Sequence, residues 1–297
     1  MNFFRFNELF STERECINYF IKIRYVSRVT CNHCNSDKVH HRKDTPKRFQ
    51  CSGCNNSFSI FKDTIFEKSD TDLRKWFYAI HLFLNSKKGI SGYQLQREIG
   101  VTYKCAWRIL KKIREAMSNV ETKKMFGSLV EVDETYVGKD DDEDDNTPTK
   151  RGRGAKKNVV VGVLDRESKT VKAETMSKND DGNKINSDQL LSVITNLVKS
   201  GSTVITDEFK GYSKVATDYN HITVNHSKGY VGENGEHVNN LESFFSTLKR
   251  GIVGIYHHVS SKYVQSYIDE FCFRYNNKSN DDVFSLVLRQ GILAQKF

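Results

Sequence analysis

The chain has 297 residues, 37% hydrophobic and 28% charged, with a formal net charge of +9 at pH 7, which points to a charge-rich globular protein of two domains or more. No apolar run approaches the ~18 residues that would suggest a membrane span, and Met1-Asn2-Phe3-Phe4-Arg5 leads into no long apolar core or small-residue cleavage site, which argues against a membrane location and a signal peptide. Residues 1–118 hold 22 Lys/Arg and 11 Asp/Glu, a net of +11, whereas the remainder holds 24 (46−22) and 26 (37−11), a net of −2.

The basic N-terminal part suits a nucleic-acid module, because neutralising phosphates releases counterions; a merely solvated basic surface is the alternative. Within residues 1–29, Ser11 or Thr12 can cap a short amphipathic helix whose apolar positions are Cys16, Ile17, Phe20, Ile21 and Ile23. Residues 30–66 form a cysteine module. It reads Cys31-Asn32-His33-Cys34, then sixteen residues, then Cys51-Ser52-Gly53-Cys54. Each two-residue gap makes a tight knuckle that aims two thiolates at one ion. Four thiolates close a tetrahedral zinc site, structural because no position is left open. His33, His40 and His41 lie close by, but two complete cysteine pairs already supply four ligands. Arg42, Lys43, Lys47 and Arg48 between the pairs are candidate DNA contacts, as in a zinc-ribbon hairpin. The cysteine total of seven, with four in two tight pairs, favours a reducing compartment over a disulfide framework. Cys16, Cys105 and Cys272 read as core residues.

Residues 70–118 are helical in pattern and carry a helix-turn-helix. Ser91–Ile99 supplies the first helix, Gly100 a turn with the positive φ that glycine tolerates, and 101–110 the second helix. Thr102, Tyr103, Lys104 and Arg108 fall on the exposed, groove-facing side. A helical hairpin that only packs is the alternative.

Residues 127–297 read as one α/β domain, with strands near 128–133, 158–164, 170–176, 203–207 and 221–225 and helices near 186–199, 238–250 and 260–276. A charged stretch at 139–157, acidic then basic and without apolar residues, is expected to be a mobile loop. It is either a solvated hairpin tip or a basic arm gripping DNA near the active site. Asp133 ends the run Leu129-Val130-Glu131-Val132-Asp133, and Asp207 ends Thr203-Val204-Ile205-Thr206-Asp207. Alternation puts Glu131 on the Asp133 face and turns Glu134 away. Glu131 is thus either a support for the site or a solvated strand charge. Glu242 and Lys249, seven apart on a helix, share a face with Phe245 and Ser246 between them. Two carboxylates on strand ends and one on a helix can hold two magnesium ions for phosphodiester chemistry.

These residues give the chain a recognisable look. It resembles the zinc-ribbon DDE transposases of bacterial insertion sequences, the group related to the eukaryotic Merlin transposons. The resemblance rests on the Cys31–Cys54 ribbon, on Val130–Gly138, on Val204–Asp207 with Gly211-Tyr212, and on His237–Phe245 with Leu248-Lys249-Arg250-Gly251. Tyr256–Ser260 and Glu270-Phe271 with Arg274-Tyr275-Asn276 complete it. It implies a multidomain α+β chain with an RNase H-like catalytic core, two Mg2+ ions (Mn2+ as a substitute), and cleavage and strand transfer at transposon ends. Double-stranded DNA is the implied partner, a homodimer or larger synaptic complex the assembly, and the nucleoid in the cytoplasm the location. Arg250 joins the DNA contacts. In the family the third metal position is Glu in some members and Asn in others; Glu242 is preferred because a carboxylate suits a hard cation better than an amide, with Asn239 as the other candidate. A non-catalytic DNA-binding regulator and an RNase H-like nuclease without strand transfer are the competing readings.

Overall fold

The computed structural model describes residues 1–118, 126–138, 157–176, 186–224 and 237–293. It divides into two compact units, Met1–Val120 with Asn280–Phe297, and Glu121–Ser279. Residues 139–156 of the expected charged loop lie outside the described residues.

The first unit begins with helix α1 (Phe3–Leu9), capped by Asn2, whose side chain accepts from Arg5 N at 2.9 Å. Helix α2 (Glu13–Arg24) starts on a capping box between Thr12 and Glu15, which selects Thr12 over Ser11 as the cap. Three short antiparallel strands follow in the order β1 (Val39–His41), β2 (Arg48–Cys51), β3 (Ser57–Ser59). Then come α3 (Leu73–Asn85), α4 (Gly92–Ile99) and α5 (Tyr103–Ser118). Gly100 sits between α4 and α5 at φ 60° and ψ 57°, the left-handed conformation that the helix-turn-helix pattern requires. Cys16 is fully buried, and Cys105 lies half-buried with its Sγ 3.3 Å from Thr71 Oγ1.

One expectation is corrected here. Residues 127–297 do not form a single domain, because helix α9 (Val283–Leu293) packs in the N-terminal unit. Phe284 lies against Phe6, Phe10 and Phe77, with ring centroids 6.3, 5.7 and 6.0 Å away. Tyr19 Oη lies 3.0 Å from Ser285 Oγ, and Ile65 N donates to Gly291 O at 3.0 Å. A Cβ on Gly291 would come within 2.6 Å of Ile65 Cδ1, so glycine there permits the close approach. The segments 1–29, 30–66 and 70–118 likewise share this one unit, since a ribbon and short helices each bury too little apolar surface alone.

The second unit is a five-stranded sheet in the order β6-β5-β4-β7-β8. Strands β4 (Leu129–Val137), β5 (Asn158–Asp165) and β6 (Thr170–Thr175) form an antiparallel meander, and β7 (Thr203–Thr206) and β8 (Asn220–Thr223) run parallel to β4. Helix α6 (Ser187–Leu197) covers the face of Val130, Val132, Val161, Val163 and Val204. Helices α7 (Asn239–Gly251) and α8 (Ser261–Asn276) cover the face of Val137, Val160, Leu164, Val171 and Ala173. β5 is therefore buried on both faces, which is why it reads as an almost unbroken run of valines. This is the RNase H-like α/β core. Among the described residues, no helix is long and apolar enough to cross a membrane.

Because α9 completes the aromatic core of the first unit, Phe284→Ala is expected to destabilise that unit by roughly 3–5 kcal/mol. A fragment of residues 1–118 should melt well below the same unit in the whole chain. Calorimetry of the full chain, the variant and the fragment checks this; equal melting of fragment and intact unit would contradict the packing.

Candidate active site and metal centre

Asp133 does not end its strand, as the sequence pattern suggested. β4 continues to Val137, because it pairs with β5 through Val137↔Asn158. The neighbour on its other side is what stops: β7 ends at Thr206. The β4–β7 register pairs Val130 with Val204 and Glu131 with Ile205, an offset of 74 (205−131) that sets Asp133 level with Asp207 just beyond the end of β7. Adjacent strands lie about 4.8 Å apart, so the two residues are neighbours just past the end of the β4–β7 pairing. Asp133 Oδ1 accepts from Glu134 N at 2.8 Å, and Asp207 Oδ1 accepts from Phe209 N at 3.0 Å.

Helix α7 brings Glu242 to this point. Gly162 of β5 lies opposite Asp133, and a Cβ there would be 2.7 Å from Phe245 Cζ and 2.9 Å from Leu241 Cδ1. The missing side chain lets α7 settle close against the sheet beside Asp133. The result is an open cavity of about 460 Å³ lined by Asp133, Glu134, Thr135, Glu242, Phe245, Ser246, Lys249 and Arg250. The expected shared face of Glu242 and Lys249 is thus the cavity wall. Asp207 does not line this cavity, but its charge bears on Asp133. Asn239 does not line it either; its backbone N donates to His237 Nδ1 at 3.3 Å.

Negative charge is concentrated here. Burial, then the carboxylates of Glu134, Asp207 and Glu242, push Asp133 up from 3.8 to about 7. Crowding by protein atoms lowers the Lys249 ammonium from its ordinary range; Asp133 opposes that shift and Lys157 adds to it. Glu134 does turn to the opposite face, as expected, where the buried Tyr212 donates to its Oε2 at 2.8 Å. Glu131 is not a solvated charge: it is fully buried and accepts from Arg166 Nε at 2.7 Å, Asn240 Nδ2 at 2.7 Å and Leu241 N at 3.1 Å. The sequence did not single out Gly162, although an isolated glycine within a valine strand signals a close backbone approach.

The four cysteines converge as expected. Their Sγ atoms all lie within 4.8 Å of one another, the one such group among the described residues. Cys31 and Cys54 are 3.6 Å apart, and Cys34 and Cys51 are 3.7 Å apart. Thiolates at 2.3 Å around a tetrahedral ion are about 3.8 Å apart, so the donor set fits zinc. Both knuckles have the same build: His33 N points at Cys31 Sγ (3.4 Å) and Gly53 N at Cys51 Sγ (3.3 Å), with Asn35 and Asn55 each at φ 56° closing the turn.

Several expected DNA contacts hold partners on the surface of their own unit. Arg108 donates to the carbonyls of Glu67 (2.8 Å) and Lys68 (3.0 Å), Lys47 pairs with Glu13 (2.6 Å), Arg42 holds Asp44 (2.7 Å), and Arg48 bonds Ser57 Oγ (3.2 Å). The Thr102 hydroxyl caps α5 through Cys105 N at 3.3 Å. Lys43, Tyr103, Lys104 and Arg250 are exposed, and Tyr103 stacks on Tyr93 at 4.5 Å.

A carboxylate-lined cleft on an RNase H-like sheet in one unit, and a ribbon with four converging thiols in the other, define a class that sequence comparison makes specific. Residues 125–276 match the ISXO2-like transposase domain, and residues 11–57 match the transposase zinc-ribbon domain. The chain belongs to the ISXO2-like transposase family and is a DNA transposase. A relative from Halobacterium salinarum, described as an uncharacterized protein in transposable element ISH50, is 28% identical over 260 residues, covering 81% of this chain and 83% of its own. An uncharacterized transposase-like protein of Haemophilus influenzae is 27% identical over 104 residues, 35% of this chain and 83% of its own. Among solved structures, a pre-cleavage Mos1 transpososome superposes with a TM-score of 0.29 at 11% identity, over 74% of this chain and 79% of that one.

The charge at Asp133 has a thermodynamic consequence. A carboxyl raised from 3.8 to about 7 costs the fold nothing below pH 3.8, a growing amount between, and the full amount above about 7. In metal-free buffer at pH 8, Asp133→Asn should therefore stabilise the second unit, by on the order of 2–4 kcal/mol, with the gain vanishing near pH 4. Thermal melts at the two pH values check this; equal melting of both proteins at pH 8 would contradict the charge cluster.

Proposed function

We propose that this transposase binds the ends of its own mobile element as double-stranded DNA, cleaves a phosphodiester there, and joins the freed 3′-hydroxyl to target DNA at the same site. The observation that carries this reading is the meeting of Asp133, level with Asp207, and Glu242 across a cleft walled by Lys249 and Arg250. Asp133, Asp207 and Glu242 would hold two Mg2+ ions, with Mn2+ able to replace them. Bound there, the two ions supply Lewis-acid activation of the attacking oxygen and stabilisation of the leaving one. The donor set fits. Three carboxylates are hard oxygen donors for hard divalent cations, and the charges of Asp207 and Glu242 both act on Asp133.

The chain's own groups do the positioning. Lys249 and Arg250, on the last turn of α7, face the cleft and neutralise phosphate oxygens of the incoming strand. Phe245 forms the apolar wall beneath them. In the first unit, Tyr103 and Lys104 at the start of α5 meet the major groove and Lys43 a phosphate, while Arg108 stays a structural strut. Two element ends need two active sites, so the working form is a homodimer or larger. The four cysteines hold one zinc, which keeps the ribbon folded.

Two measurements test this. Mg2+-dependent cleavage of an element-end duplex should fall to background in Asp133→Asn, Asp207→Asn and Glu242→Gln, while gel shifts in Ca2+ remain. Lys249→Ala should lose about 10- to 100-fold, the cost of one charged hydrogen bond, and Asn239→Ala less. Loss of activity in Asn239→Ala with full activity in Glu242→Gln would move the third ligand to Asn239; normal cleavage by all three acidic variants would leave a DNA-binding regulator. Freshly purified protein should also carry one zinc per chain by metal analysis, and Cys31→Ser should unfold the ribbon and weaken DNA binding while the second unit stays folded. Zinc-free protein with an intact ribbon would refute the metal centre.

A further inference from the structure

Helix α7 is not capped by its N-cap residue; His237 Nδ1 takes Asn239 N at 3.3 Å. Its N-cap residue, Val238, offers no side-chain acceptor, although the first turn of any helix leaves backbone N–H groups without intrahelical partners. A second acceptor comes from the sheet. Glu131 of β4 takes Leu241 N at 3.1 Å and Asn240 Nδ2 at 2.7 Å. Its negative charge also sits at the positive end of the helix dipole. Arg166, just past the end of β5, donates to the same carboxylate at 2.7 Å and also to the His237 carbonyl, so it ties the chain entering α7 to the same point.

The position of this anchor is what gives it meaning. Glu131 is fully buried and sits two residues before Asp133, on the same face of a strand held by β5 on one side and β7 on the other. Glu242 follows the anchored Leu241 directly. One carboxylate therefore couples the strand that carries Asp133 to the helix turn that carries Glu242. Arg166 balances its charge, so the anchor adds little negative potential to a cleft already crowded with it.

We propose that Glu131 is a positioning residue that sets the separation of Asp133 and Glu242, and through it the affinity of the cleft for a pair of divalent cations. This rests on the metal-dependent reading above. Glu131→Gln keeps the shape but sets an N–H against either Leu241 N or Arg166 Nε, both donors, so the anchor loses either its backbone bond to α7 or its bond to Arg166. Glu131→Gln is expected to weaken Mn2+ binding to the metal-free full-length protein about tenfold or more in calorimetric titration, an effect of the size seen when groups orienting metal ligands are removed. The Mg2+ concentration giving half-maximal end cleavage should rise in step, with binding to the end duplex in Ca2+ unchanged.

Asn240→Ala removes one donor without leaving a buried anion unpaired, and should shift the same two quantities in the same direction by a smaller factor. It keeps the test open should Glu131→Gln fail to fold. A lowered melting temperature with unaltered Mn2+ affinity and Mg2+ dependence in both variants would mean a structural anchor only, and would overturn the proposal. The acidic variants separate the two levels: if Asp133→Asn and Glu242→Gln still cleave, the metal-dependent reading fails; if they are dead while Glu131→Gln binds Mn2+ like the parent protein, only the positioning role fails.

Discussion

Asp133 is held half-buried with three other carboxylates acting on it, and the electrostatic cost of that arrangement organises the second unit. A carboxyl pushed up to about 7 is one that the fold alone does not favour ionised. The fold tolerates it because the sheet supplies most of the stability elsewhere: β5 is sealed by apolar residues on both faces, and α7 and α8 bury an aromatic and aliphatic layer against it. What remains is a cleft of concentrated negative charge whose rim, at Lys249 and Arg250, is basic. On the proposed metal-dependent reading, the cost of ionising Asp133 and the affinity of the cleft for divalent cations have one origin.

The approach of α7 to the sheet is the second constraint, and it is met by absence and by attachment. At Gly162 no side chain stands between the helix and β5, and at Glu131 a buried carboxylate ties the helix start to β4. These act on opposite sides of Asp133, one on the paired residue across the ladder and one two residues earlier along the strand. A helix fixed by packing alone could slide by fractions of an ångström; a hydrogen-bonded cap on a buried group fixes its end.

Much of this was legible in the sequence, for physical reasons that also explain what was not. The strands 158–165 and 203–206 and the helices 187–197, 239–251 and 261–276 follow from local hydrophobic period, and their observed bounds lie close to the expected ones. The cysteine pairs and Gly100 carry their geometry in their spacing. The length of β4 was missed because its last four residues, Glu134-Thr135-Tyr136-Val137, are held by β5 across a long insertion, a non-local pairing. The placement of α9 was missed because a helix's amphipathic face does not name its partner. Composition also does not separate the basic residues: Lys47, Arg48 and Arg108 look alike in sequence, and each holds a partner within its own unit.

The proposed chemistry requires Asp133, Asp207 and Glu242 to form a divalent-cation site together. Anomalous diffraction from crystals soaked in Mn2+ addresses this without relying on any activity. Two anomalous peaks roughly 3.5–4 Å apart, bounded by these three carboxylates, are the expected result. Mn2+ bound elsewhere on an otherwise intact chain, with this cleft empty at saturating metal, would contradict it.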